Sequence, residues 1–120
     1  MTGTAHLPPR SLARTFVLLW WGLGLGLLAG SLRTVFHALA IGGPSGAHVA
    51  ALGAFEAASA LLFVIPRTMR IGTLGLVASF AVALLAHALR LELRWDLVIY
   101  AVAVCFVAVH GPVPRAALRA

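Results

Sequence analysis

The chain has no lysine, a single cysteine and only three acidic residues, Glu56, Glu92 and Asp96. A lone Cys105 excludes an intramolecular disulfide and a cysteine metal cluster. Its place inside an apolar run reads as a small buried side chain rather than a redox group. No HxxxH or HExxH spacing occurs, so a metal centre would have to be assembled from separate helices, and none is expected. No Ser, Thr or Cys is visibly paired with a base, as nucleophilic catalysis requires. Charge of either sign is scarce, at 10% of residues against roughly a quarter in an average soluble domain.

Apolar residues fill the space that charge leaves. The 120 residues are 62% hydrophobic, with a mean hydropathy of +1.02. A bilayer core about 30 Å thick takes about 20 residues of helix per crossing. Residues 1–120 therefore supply at most four or five spans in one membrane domain. The net charge of +6 comes from nine arginines that flank the apolar runs instead of lining one face. Topology and anionic lipid explain them, and nucleic acid is not an expected partner.

A polar start containing Pro8-Pro9, Arg10 and Arg14 precedes a first span at about 15–39. Its apolar run is too long for the core of a typical secretory signal. Gly22, Gly26 and Gly30 recur every four residues and share a face that lets a neighbouring helix approach, in this chain or in an oligomer. Following that stripe onward leads to Arg33 and His37. A dinucleotide-binding reading of the glycines fails on spacing and on the lack of a βαβ unit. Gly42-Gly43-Pro44-Ser45-Gly46 reads as a turn. A second span, 47–65, carries Glu56 among the small residues Gly53, Ser59 and Ala60, so Glu56 should face the bundle. Pro66-Arg67-Thr68-Met69-Arg70 reads as a tight basic loop. The third span, 71–89, bears the small-residue stripe Gly75, Ser79 and Ala83 and ends at His87. After a mixed-charge segment with Trp95 at headgroup level, a fourth span at 95–110 is stopped by Gly111-Pro112-Val113-Pro114.

The expected fold is all-α, an integral membrane four-helix transmembrane bundle. Arg10, Arg14, Arg67, Arg70, Arg115 and Arg119 fall on one side. Arg33, Arg90 and Arg94, diluted by Glu92 and Asp96, fall on the other. The positive-inside rule then places both termini in the cytoplasm.

With that orientation Glu56 lies roughly 13 Å, and Arg33 roughly 9 Å, below the outer end of their spans. Arg33, His37, His48, Glu56 and His87 all fall in the outer half. A charged carboxylate at that depth is costly unless paired or hydrated, and such groups are functional candidates. The expectation is a polar pocket open to the outside. Arg33, His37, Glu56 and His87 would bind a ligand there, with Glu56 and His87 the candidate catalytic pair. The competing reading is a Glu56–Arg33 ion pair that only fixes helix register. A haem between His37 and His87 is a weaker alternative. His6, in the N-terminal tail, and His48 and His110, at span ends, read as tail or interfacial groups.

Three stretches together resemble the DoxX-like family of small four-helix bacterial membrane proteins. They are Leu52-Gly53-Ala54-Phe55-Glu56, then Leu61-Leu62-Phe63-Val64-Ile65-Pro66-Arg67, and a small-residue span ending Ala86-His87. The resemblance implies a multi-pass protein of the bacterial cytoplasmic (inner) membrane. It implies a redox-associated accessory subunit with a membrane or soluble oxidoreductase partner, and a quinone or lipid site near Glu56. Glu56 carries the resemblance above all, and His87 more weakly. Two other classes compete with it. One is a membrane enzyme using Glu56 and His87 as an acid/base pair on a hydrophobic, isoprenoid-like substrate. The other is a structural subunit of a larger membrane complex, packed through the Gly22/Gly26/Gly30 face.

Overall fold

A computed structural model describes residues 9–112, and these residues are helical with short connections. Four helices follow in order: α1 (Arg10–Ile41), α2 (Gly43–Val64), α3 (Met69–Ala88) and α4 (Trp95–His110), with one 3-10 turn, Pro66–Thr68, between α2 and α3. The helices of α1, of α2 and of the turn with α3 are long and apolar enough to cross a membrane; α4 is a shorter apolar helix. The outer surface is apolar on all of them, as Leu18, Leu61, Leu74 and Val102 illustrate. In water so continuous an apolar exterior would be a liability, and in lipid it is the ordinary condition.

The expected spans are recovered with shifted ends. α1 begins at Arg10, directly after Pro9, and is longer than the predicted 15–39. Proline serves as a stop on the N-terminal side only, so Arg10 and Arg14 join the helix. The five-residue turn shrinks to Gly42. Consecutive glycines at φ +72° and +75° reverse the chain, the Gly42 N–H caps the Ala38 carbonyl at 3.2 Å, and Pro44 sits in the first turn of α2. Proline suits that position because its missing N–H would have had no helical acceptor. The basic loop is likewise partly helical, with α3 starting at Met69. α4 spans 95–110 as expected. His6, Arg115, Arg119 and Pro114 lie outside the described residues.

The end of α2 shows how the bundle closes. Pro66 offers no N–H, which leaves the last carbonyls of α2 without helical donors. Thr68 Oγ1 donates to the Leu62 carbonyl at 2.8 Å, and Trp20 Nε1 donates to the Phe63 carbonyl at 2.8 Å. The Trp20 bond ties α1 to α2 where Phe63, Met69 and Val107 form the core with Leu76, Phe80 and Val104.

Close helix approach uses the predicted Gly53 and Gly75 together with Gly24, Gly46 and Gly72, and not the Gly22/Gly26/Gly30 stripe. A Cβ on Gly24 would strike Val64, one on Gly46 would meet the Ala38 carbonyl at 2.6 Å, and one on Gly72 would strike the Phe63 amide. Gly53 sits against Val35 and the Ser31 backbone, and Gly75 against Ser59. At Gly22, Gly26 and Gly30 a Cβ would meet nothing within 4 Å. Among the described residues that stripe packs against no helix. Cys105, expected to be buried, is exposed on the outside of α4.

Candidate functional site

Glu56 sits on the fourth turn of α2 and turns inward, as the small residues around it predict. It is half-buried and joins three helices: Ser31 Oγ of α1 donates to Oε1 at 2.8 Å, and Ser79 Oγ of α3 donates to Oε2 at 3.3 Å. Ser31 Oγ also lies 2.7 Å from the Leu27 carbonyl. A hydroxyl has one proton, so it cannot serve both acceptors at once. Two arrangements satisfy the atoms. Either Ser31 donates to a carboxylate, or it donates to Leu27 and accepts a proton from a carboxylic acid. The geometry can thus hold Glu56 with or without its proton, with both oxygens partnered.

Beyond the serines Glu56 opens onto a cleft of about 510 Å³ between α1 and α4. Gly22, Gly26 and Gly30 form one wall, Phe80, Leu97 and Tyr100 another, and Arg94 and Asp96 also line it. The cleft follows from two sequence features. Without side chains the α1 wall stays hollow. At 16 residues α4 is also short, roughly 24 Å. It packs on α3 and touches α1 little. Phe80 and Tyr100 stand with ring centroids 6.4 Å apart at 31°, offering aromatic faces beside the carboxyl. Arg94 and Asp96 form a two-bond fork at 2.9 and 2.6 Å. The hydrogen bonds and charge of Asp96 raise the Arg94 guanidinium above its ordinary range, so it is permanently cationic.

The predicted constellation divides into three places. Arg33 does not pair with Glu56. Ser31 faces Glu56, and two residues at 100° each put Arg33 on roughly the opposite side of α1. Arg33 and His37 instead line a separate groove of about 1000 Å³ between α1 and the start of α2. His87 lies eight residues beyond Ser79, roughly 12 Å along α3. There its Nδ1 contacts Glu92 Oε2 at 3.3 Å. The structure therefore does not bring His87 into the Glu56 cleft, and the acid/base pair is not assembled. His48 is exposed near the start of α2, and His110 Nδ1 donates to the Phe106 carbonyl at 2.9 Å. Among the described residues no cluster of His, Cys, Asp and Glu could hold a metal ion.

Sequence reasoning missed Ser31, Tyr100, Arg94 and Asp96 as neighbours of Glu56, and treated Ser79 as a small residue rather than a donor. One signal was present: Ser31 and Ser79 are hydroxyl groups inside otherwise apolar spans. Comparison of the chain with protein-family models, with curated proteins and with solved structures found no match.

Proposed function

We propose that this chain is a multi-pass protein of the bacterial cytoplasmic membrane, both termini cytoplasmic, whose Glu56 cleft holds the polar head of a quinone. It would serve as an accessory subunit to an oxidoreductase. The observation that carries the quinone reading is the cleft itself, which brings a hydrogen-bonding carboxyl, the aromatic rings of Phe80 and Tyr100 and the apolar Leu23, Leu27 and Leu97 around one space. Its volume lies within the roughly 300–1,000 Å³ of small-ligand pockets. A quinone carbonyl needs donors and a quinol hydroxyl needs acceptors. The Glu56 carboxylate can accept from a quinol hydroxyl, and a protonated Glu56 can donate to a quinone carbonyl when its one proton turns from Ser31 toward the cleft.

The orientation is supported by Arg10, Arg14, Arg67 and Arg70, which gather at the end of the bundle opposite Gly42. The redox partner is supported by the DoxX-like resemblance alone. A second reading has its own observation: the two serine bonds would let Glu56 act purely as a clamp on α1, α2 and α3. An acid/base enzyme using His87 gains nothing from the geometry.

A short-chain quinone titrated into the purified protein, read by quenching of tryptophan fluorescence, separates the two readings. The expected result is saturable binding that Glu56→Gln weakens about tenfold, the scale of one hydrogen bond to a charged group. Unchanged affinity in Glu56→Gln, together with lowered thermal stability, would leave only the clamp. Copurification in mild detergent tests the partner, and a complex containing an oxidoreductase is expected.

A further inference from the structure

The chain has three acidic residues, and all three are committed: Glu56 to Ser31 and Ser79, Glu92 to His87, Asp96 to Arg94. Arg33 makes no ion pair among the described residues. It is exposed, yet it lies only two residues, roughly 3 Å of helix rise, beyond the level of Ser31 and Glu56. A guanidinium at that depth in a bilayer is costly without a counter-charge. Among the described residues no carboxylate pairs with it to supply one.

We infer that the groove lined by Arg33 and His37 binds the phosphate of an anionic phospholipid. This rests on the bilayer setting proposed above and is independent of the Glu56 cleft. Charge complementarity selects the phosphate, since Arg33 presents a planar fork suited to bidentate contact with phosphate oxygens. The start of α2 adds to it. Ser45 and Gly46 border the groove, and α2 has neither a side-chain cap nor an acidic residue in its first turn to satisfy its free N–H groups. Helix N-termini favour anions. Leu32, Phe36 and Val49 form the apolar part of the groove and provide a bed for an acyl chain. Apolar wall and cation in one groove match an anionic lipid better than a free anion.

The test is native mass spectrometry of the full-length purified chain in detergent, titrated with phosphatidylglycerol, with phosphatidylcholine and with inorganic phosphate. The expected result is about tenfold preference for phosphatidylglycerol over phosphatidylcholine. Arg33→Gln should abolish that preference, and Arg33→Lys should keep part of it. Should Arg33→Gln fail to fold, Val49→Trp fills the groove while leaving the charge, and should lower phosphatidylglycerol binding to the phosphatidylcholine level. Glu56→Gln should leave the preference intact, which separates failure here from failure of the quinone reading. Equal binding of the two lipids would overturn the inference and leave a carboxylate of another protein as the counter-charge. Displacement of phosphatidylglycerol by millimolar inorganic phosphate would overturn the lipid source. Wild-type preference in both Arg33→Gln and Val49→Trp would overturn the site.

Discussion

The two sides of α1 use the same small residues to opposite ends. On the side toward α2, Gly24, Leu27, Ser31 and Ala38 are buried, and a Cβ on Gly24 would collide with Val64. On the side toward α4, Gly22, Gly26 and Gly30 border open space. In a membrane, helix association relies on packing rather than on apolar transfer, so small residues normally mark where backbones meet. Here one set brings helices together and the other keeps a cleft from filling. The difference teaches that a four-residue glycine rhythm reports a smooth face, and that neighbours decide whether the face is packed or vacant.

Substitutions can break that contrast, beginning with the packed glycines. Gly72→Ala places a methyl group against the Ser59 carbonyl at 2.6 Å and the Leu62 backbone at 2.7 Å. Backbone cannot move aside cheaply, so a loss of about 3 kcal/mol is expected in reversible unfolding from mixed micelles. Loss below about 0.5 kcal/mol would mean α2 and α3 are not this close. Next in size is Ser31→Ala combined with Ser79→Ala, which strips both partners from a half-buried carboxyl. A cost of about 2 kcal/mol is expected on the same assay. Gly26→Ala should change stability by less than about 0.5 kcal/mol, because the site is open and alanine is the better helix former. The same substitution narrows the cleft and should weaken quinone binding, whereas a large stability loss would show that the stripe is packed after all, against a second copy or a partner. The smallest effect belongs to Leu91, which is exposed and holds a positive φ of 60° in the α3–α4 connection. Leu91→Gly should gain only a few tenths of a kcal/mol, roughly the relief of that conformation less the extra unfolded-state freedom of glycine.

The sequence disclosed the number of helices, the stop at Pro66, the limits of α4 and the inward turn of Glu56. Each follows from local chemistry: run length, a missing N–H, and small residues at helical spacing. The grouping of Arg33 with Glu56 did not follow, because a shared depth says nothing about rotation around a helix axis. The choice of Ser31 over Gly30 as the residue aimed at α2 turns Arg33 away by half a revolution, and tertiary packing makes that choice. His87 was separated from Glu56 in the same way, by two turns of α3 and by a nearby Glu92. The cleft itself was not legible although its ingredients were, since the glycines and the short α4 leave a space only because α4 packs on α3 and touches α1 little, which tertiary packing decides.

The central claim is that Glu56 and Arg33 belong to two different sites. The most direct measurement is a crossed binding comparison, with short-chain quinone and phosphatidylglycerol each titrated against wild type, Glu56→Gln and Arg33→Gln. Glu56→Gln is predicted to weaken quinone about tenfold and to leave phosphatidylglycerol within about twofold, and Arg33→Gln to do the reverse. Equal weakening of both ligands by either substitution would contradict the account and restore a single polar pocket.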